Sequence, residues 1–180
     1  GKIYHGHSGA GVDRQNWNRW LNVSAPHYAS PENIEILREA LEKGDVGNSK
    51  DPAKGPLTES ADVHDDTYVD GKRAAKTVEI LQSLGQQNDK PFFLAVGLAK
   101  PHLPFVAPQK YWDLYDRNDF SMPANASIPP GYPRHAANLM AHEMHKYSDF
   151  EGSSPRDFSD DLNRRLLHGY AAATSYADAC

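Results

Sequence analysis

The chain has 180 residues, a formal net charge of −5 at neutral pH and a calculated pI of about 6.0. An acidic balance argues against a nucleic-acid-binding protein, whose binding surface is normally basic, and no apolar run reaches the roughly eighteen residues of a membrane span. One cysteine, Cys180, excludes an internal disulfide and leaves the redox compartment open. Thirteen proline and thirteen glycine residues indicate long irregular segments between few regular elements.

The first 66 residues predict one short helix. Ser30 and Pro31 are typical of a helix start, because a serine side chain caps free N–H groups and proline suits the first helical position. We expect this helix to run to Leu41 and to end at Gly44. The segment 45–66 is polar and contains Asp-Pro and Gly-Pro pairs, which predict a loop.

A helix followed by a buried strand is predicted in the middle of the chain. The helix runs from Gly71 to Leu84, with Asp70 as a candidate cap and Gly85 as a stop. Its apolar residues recur at helical spacing: Ala74, Val78, Leu81 and Leu84. The run 91–98 is short and continuously apolar, which predicts a strand buried on both faces of a parallel sheet. This order of elements indicates an α/β fold.

Three further helices are predicted in the second half. One spans 108–115, one spans 135–146 after a proline-rich loop, and the last begins near Ser159 with Asp160 and Asp161 in its first turn. The apolar stripe of the last helix comprises Leu162, Leu166, Tyr170, Ala173 and Ala177.

Two segments carry residues suited to an anion site. Lys2 and His5 lie three positions apart near the start, and Lys100 and His102 follow the predicted buried strand, where α/β sheets commonly place functional groups. Lysines and histidines that converge on one pocket would bind a dianion through charge-assisted hydrogen bonds, and a histidine can protonate a leaving alcohol. The same residue types are also typical of lysines exposed to solvent and of a histidine that packs within its loop.

Three segments resemble the formylglycine-dependent sulfatases, in particular the iduronate-2-sulfatase-like members. The first is 92–105, which reads Phe-Phe-Leu-Ala-Val-Gly-Leu-Ala-Lys-Pro-His-Leu-Pro-Phe. The second is 1–5, Gly-Lys-Ile-Tyr-His, and the third is 165–178, which is similar to the helix before the family's later metal-binding strand. The segments occur in the family's order, whereas 6–60 and 116–158 match only loosely.

This resemblance implies an alkaline-phosphatase-like α/β fold, of which residues 1–180 would be an internal part of the large mixed sheet with its flanking helices. It also implies that the parent protein hydrolyses sulfate esters, expected on a sugar or polysaccharide, with a formylglycine hydrate and calcium. By the same resemblance, Lys2 would contact the sulfate and the formylglycine, and His5 would bind a formylglycine hydroxyl and help to expel sulfate. His102 would face the ester oxygen as a candidate general acid, and Lys100 would bind a charged group of the substrate.

The chain lacks the motifs that would complete such a site. It has no Cys-x-Pro-x-Arg motif, and Cys180 does not fit because the family's nucleophile precedes the segment that matches 1–5. The aspartate pair of the calcium site is also absent, since Asp65-Asp66 lies in a polar loop rather than after an apolar strand. We therefore expect the nucleophile and all metal ligands to lie outside this chain, and the isolated chain to be inactive.

Other interpretations stay open at this stage. A phosphoesterase of the same superfamily would use a Thr or Ser nucleophile and two metals, and a non-catalytic protein of this fold would bind sulfated carbohydrate without cleaving it. The segment His142-Glu143-Met144-His145 has one residue too few for the zinc motif His-Glu-x-x-His. It could hold a metal with His135 or form a solvated helix. The resemblance implies a secreted, periplasmic or lysosomal location.

Overall fold

The computed structural model describes residues 3, 13–43, 54–86, 90–124, 129–133, 135, 143–150 and 158–180. The helices and strands in these ranges are α1 (Pro31–Lys43), β1 (Thr58–Ala61), α2 (Val69–Gly85), β2 (Phe105–Pro108), α3 (Gln109–Trp112) and α4 (Asp160–Ala179). Short 3-10 turns occur at Arg14–Asn16, Asp65–Thr67, Arg117–Asp119 and Met144–Lys146.

The two strands form a parallel sheet, in which Thr58 lies opposite Phe105 and Ala61 lies opposite Pro108. Parallel strands need a crossover connection, and here it contains α2. All of β2 is buried, because α4 packs against it. The expected α/β class is therefore confirmed for the described part of the chain. The prediction that 45–66 is loop was wrong for β1, whose Thr-Glu-Ser-Ala sequence has no apolar alternation.

The core lies between the sheet and α4. Large aromatic and aliphatic side chains fill it, and burying each of them contributes roughly 1.5–3 kcal/mol. One cluster contains Tyr28, Tyr68, Val106, Ala107, Tyr111, Trp112, Ala172 and Tyr176. The adjoining cluster contains Leu57, Phe105, Tyr147, Leu162, Leu166 and Ala173.

The predicted start of α4 is confirmed, because Ser159 Oγ accepts a hydrogen bond from the backbone N–H of Leu162 at 3.1 Å. The predicted stripe is confirmed in part: Leu162 and Leu166 are buried, whereas Tyr170 is exposed. The helix comes close to the sheet at Gly169, where an added Cβ would lie 3.0 Å from Phe105 Cβ and 3.2 Å from Thr58 Cγ2. Tyr176, outside the predicted stripe, is completely buried.

The predicted start of α1 is also confirmed. Ser30 Oγ accepts a hydrogen bond from the backbone N–H of Asn33 at 3.2 Å. The buried carboxylate of Glu59 in β1 accepts further hydrogen bonds from the backbone N–H groups of Ala29 (2.7 Å) and Ser30 (3.2 Å). A negative charge at this end also complements the helix dipole, so Glu59 joins α1 to the sheet.

Two predictions for α2 were wrong. The helix begins at Val69, and Asp70 is not its cap but lies in the first turn with its side chain buried. The polar atoms of Asp70 bind a distant loop, which outweighs the local capping preference. Val78 and Leu81, which belong to the predicted apolar stripe, are 53% and 43% exposed.

The predicted buried strand at 91–98 is also wrong for the described residues. This segment has no strand pairing with any described residue, and Phe92 and Phe93 are 52% and 83% exposed. A strand needs a neighbour for its backbone hydrogen bonds, and β1 pairs instead with the next apolar segment, β2. The Phe93 ring does contact Trp17, with ring centroids 6.0 Å apart.

The helix predicted at 108–115 was too long, because only the four residues of α3 are helical. Of the helix predicted at 135–146, the described part contains the 3-10 turn Met144–Lys146, and 136–142 lie outside the described residues. None of the helices in the described ranges is long and apolar enough to cross a membrane.

Candidate active site

The loop that carries His102 is held at its start by the first turn of α2. Asp70 Oδ2 accepts hydrogen bonds from the backbone N–H groups of Ala99 (2.7 Å) and Lys100 (2.8 Å). The other carboxylate oxygen of Asp70 pairs with Arg73 at 2.7 Å. Because the Asp70 side chain is only 1% exposed, these partners compensate the cost of burying its charge.

The same loop is held at its end by the sheet. The backbone N–H of His102 donates to Ala99 O at 3.0 Å, and the backbone N–H of Phe105 donates to Leu57 O at 2.8 Å where β2 begins. The peptide bonds before Pro101 and Pro104 are both cis. The hydrogen bonds at its two ends hold the short loop that carries His102 between α2 and β2.

The Lys100 side chain folds back onto this loop. Its Nζ donates to the backbone carbonyls of His102 (2.8 Å) and Pro104. Burial lowers the pKa of Lys100 to about 8, although the charge of Asp70 acts in the opposite direction. Two of the three ammonium hydrogens thus bind backbone, and the third is available for a ligand. The predicted contact of Lys100 with substrate stays a prediction.

The imidazole of His102 lies at the surface, with its side chain 42% exposed. Its Nδ1 is 2.8 Å from Leu103 O, and because a carbonyl only accepts, Nδ1 is the protonated nitrogen in this hydrogen bond. Glu143 Oε1 lies 3.8 Å from the same Nδ1. Within the part of the chain that the structure describes, only Nδ1 of this ring is hydrogen-bonded, so Nε2 can face a ligand.

Glu143 is in turn paired with a lysine. Lys54 Nζ donates to Glu143 Oε1 at 2.9 Å and to the Tyr147 hydroxyl at 3.3 Å, and it lies 4.7 Å from the centroid of the Tyr147 ring. Burial raises the pKa of Glu143, but Lys54, with smaller contributions from His102 and Lys146, outweighs it and holds that pKa below its usual range.

We call His102, Lys100, Glu143 and Lys54 the His102 patch. No sequence pattern indicates Lys54, and Glu143 belongs to a sequence pattern only as part of a zinc-like motif. Lys54 and Glu143 are 89 positions apart in the chain. No local spacing rule connects residues at that separation, so only the tertiary structure brings them together.

Other predicted site residues lie elsewhere or outside the described ranges. Lys2, His5 and His142 are outside them, so the convergence of Lys2 and His5 with His102 stays a prediction. The ring of His145 packs edge-on against Phe150, with centroids 4.7 Å apart. In the described ranges, no group of three or more His, Cys, Asp or Glu side chains is arranged to hold a metal ion.

The environments of Asp65 and Cys180 do not suit the roles considered for them from the sequence, a metal ligand and a nucleophile. The Asp65 carboxylate pairs with Lys110 at 2.8 Å and accepts a hydrogen bond from the Tyr111 hydroxyl at 3.0 Å. Burial raises the pKa of the Cys180 thiol to about 11, and the thiol is therefore protonated at neutral pH. Neither residue is set up as a nucleophile or an open metal ligand.

Comparison with known proteins identifies relatives of modest similarity. No family model matches the chain. The chain is 29% identical over 186 residues to iduronate 2-sulfatase of Homo sapiens, an alignment that covers 99% of this chain and 32% of that protein. It is 28% identical over 156 residues to iduronate 2-sulfatase of Mus musculus (85% and 28% covered) and 28% identical over 123 residues to choline-sulfatase of Rhizobium meliloti (66% and 22% covered). The chain is therefore similar to sulfatases over most of its length.

The chain spans less than a third of the length of these curated relatives. The expected similarity of the chain to sulfatases is thereby confirmed. The activity and the substrate of the whole protein, and the roles of Lys2, His5, His102 and Lys100, are proposals that need direct tests.

Proposed function

We propose that this chain is an internal part of a sulfatase catalytic domain with an alkaline-phosphatase-like fold. The whole protein hydrolyses a sulfate ester, on a sugar or polysaccharide, and works in a secreted, periplasmic or lysosomal setting. The observation that carries the proposal is the exposed imidazole of His102 on a loop held at both ends, in a chain whose relatives are sulfatases.

The chemistry of His102 suits the leaving-group side of a sulfate ester. Expulsion of an alkoxide is slow unless a proton reaches the ester oxygen, and a positioned histidine accelerates such a step by roughly 10²–10⁴-fold. Because Nδ1 binds the Leu103 carbonyl, the proton would be delivered from Nε2. The amine of Lys100 binds the backbone carbonyl of His102 on the same loop and would attract the anionic substrate.

The rest of the proposed site lies beyond the described residues. When present, a formylglycine hydrate supplies the hydroxyl that attacks sulfur, and calcium screens the charge of the sulfate. Both would be held by residues outside this chain, which has no Cys-x-Pro-x-Arg motif. Lys2 would contact the sulfate, and His5 would hydrogen-bond the nucleophile.

The decisive experiment measures sulfate release by ion chromatography from a panel of sulfated sugars. It compares a full-length protein that contains this chain with its His102→Ala variant and with residues 1–180 alone. We expect release by the full-length protein, a loss of roughly a hundredfold or more in His102→Ala as for a general acid, and none from the isolated chain. His64→Ala is the matched control, because His64 is an exposed histidine outside the patch.

Each alternative predicts a different result. A full-length protein that carries intact formylglycine and binds sulfated sugar without releasing sulfate would be a carbohydrate-binding protein. A strong preference for phosphate esters would make it a phosphoesterase of the same superfamily. Sulfate release that His102→Ala and His64→Ala affect equally would remove His102 from the reaction.

A further inference from the structure

We propose that Lys100 is a positioning residue for His102. Its ammonium group holds the loop backbone on both sides of the Leu103 carbonyl, and this carbonyl orients the imidazole. The inference rests on the proposed sulfatase function, in which His102 is the general acid. It gives Lys100 a role that acts through the loop backbone, in place of the direct substrate contact that the family resemblance implies.

The Lys100 side chain bridges two carbonyl groups of its own loop. Its Nζ donates hydrogen bonds to His102 O at 2.8 Å and to Pro104 O. These oxygens belong to the peptide groups immediately before and after the one that contains Leu103 O. The ring of Pro104 also fixes its φ angle. Because one ammonium group binds both neighbours, the peptide group of Leu103 O is restrained from rotating.

The Leu103 carbonyl is the group that orients the His102 ring. Its oxygen lies 2.8 Å from Nδ1, whereas Glu143 Oε1, at 3.8 Å, is beyond hydrogen-bond distance. The His102 side chain is 42% exposed, so little packing holds its rotamer. A carbonyl that binds one ring nitrogen sets the role of the other. The direction of Nε2 therefore depends on where Leu103 O points, and Lys100 restrains that carbonyl.

The surroundings of Lys100 favour a role within the loop. Its backbone N–H donates to Asp70 Oδ2 at 2.8 Å, so the residue is held at its backbone as well as at the tip of its side chain. Within the described ranges, the hydrogen-bond partners of Nζ are the two carbonyls and include no carboxylate. A compact ammonium can bind two carbonyls that converge on one point, and hydrogen bonds from a charged donor are stronger than neutral ones.

The test is a double-mutant cycle in the full-length protein, made of the wild type, Lys100→Met, His102→Ala and the double variant. The measured quantities are kcat and KM for sulfate release from a sulfated sugar. We expect Lys100→Met to lower kcat roughly tenfold, because a misplaced general acid transfers its proton poorly, while KM changes by less than about twofold. In the His102→Ala background the same substitution should lower kcat no further, because there is no imidazole left to position.

A second substrate and a control variant separate positioning from a general loss of structure. With 4-nitrophenyl sulfate, Lys100→Met should lower kcat much less, because an acidic phenol leaves without proton donation. A purely structural role would lower kcat for both substrates together. The matched control is Lys76→Met, which removes a lysine that pairs with Glu79 on α2. It should leave kcat and KM unchanged for both substrates.

The outcomes separate this inference from the proposed function. A loss of kcat that disappears in the His102→Ala background supports the positioning role. An equal loss in both backgrounds, a raised KM with unchanged kcat, or no effect beyond the control overturns it and leaves the sulfatase proposal intact. If Lys100→Met does not fold, Lys100→Gln passes through the same cycle, since its shorter side chain cannot reach both carbonyls. A wild-type protein that releases no sulfate from either substrate overturns both.

Discussion

The carboxylate of Asp70 accepts a hydrogen bond from the backbone N–H of Lys100 at 2.8 Å. These residues belong to different structural units, the first turn of α2 and the loop that carries His102. The contact is buried and charge-assisted, and such contacts are stronger than neutral hydrogen bonds. It therefore couples the position of the candidate general acid to the packing of a helix.

Replacing this carboxylate should destabilise the protein. In Asp70→Asn, an amide NH2 group would face donors that now bind an oxygen, and the charge opposite Arg73 would be lost. We expect a loss of about 2–4 kcal/mol, seen as a lower thermal unfolding midpoint of the full-length protein. Asp113→Asn, at an exposed aspartate, serves as the control. Equal midpoints in the two variants would contradict the structural role of Asp70.

The two ends of α2 should respond in opposite ways to the same substitution. In Gly71→Ala, the new Cβ would lie 1.9 Å from the backbone oxygen of Asp65, a clash that only a shift of the backbone relieves. We expect a fall in soluble expression and in unfolding midpoint. In Gly85→Ala, the Cβ meets nothing within 4 Å, so the midpoint should be unchanged or higher because alanine favours helix by about 1 kcal/mol. A tolerated Gly71→Ala would mean that this close approach does not exist in the protein.

Because of Lys100, the stability of the protein should depend on pH in the alkaline range. Burial lowers its folded-state pKa to about 8, from 10.5 in the unfolded chain. Between these values the unfolded state binds more protons than the folded state, so the contribution of Lys100 to stability rises with pH across this window. As pH increases from 8 to 10.5, the unfolding midpoint of the wild type should therefore rise relative to that of Lys100→Met.

The control for the pH experiment is Lys90→Met, at an exposed lysine. Other titrating groups are common to all three proteins, so differences between midpoints isolate the substituted lysine. Lys90→Met measures the effect of removing one lysine from the surface. If the difference between the wild type and Lys100→Met varies with pH no more than the difference between the wild type and Lys90→Met, the Lys100 ammonium is not desolvated.

Helix ends and the chemistry of the His102 loop were accessible from the sequence because they depend on neighbouring residues. Ser30 and Ser159 cap their helices as their local sequence predicts, since a cap hydrogen bond spans three residues. Asp70 has the same local signature but its carboxylate binds Ala99 and Lys100, about 30 positions away. A cap pattern indicates a helix start without indicating what the side chain binds.

Strand pairing and the electrostatics of the site were decided by the tertiary structure. The run 91–98 is the more apolar candidate, yet β1 pairs with Phe105–Pro108, because a strand forms only where a neighbour supplies hydrogen bonds. The sequence by itself predicted that Lys100 and His102 follow an apolar run in a segment with sulfatase-like residues. Only the fold placed Glu143 beside His102 and Lys54 beside Glu143. The contact between Lys54 and Glu143, 89 positions apart, follows from how the elements pack and not from any local pattern.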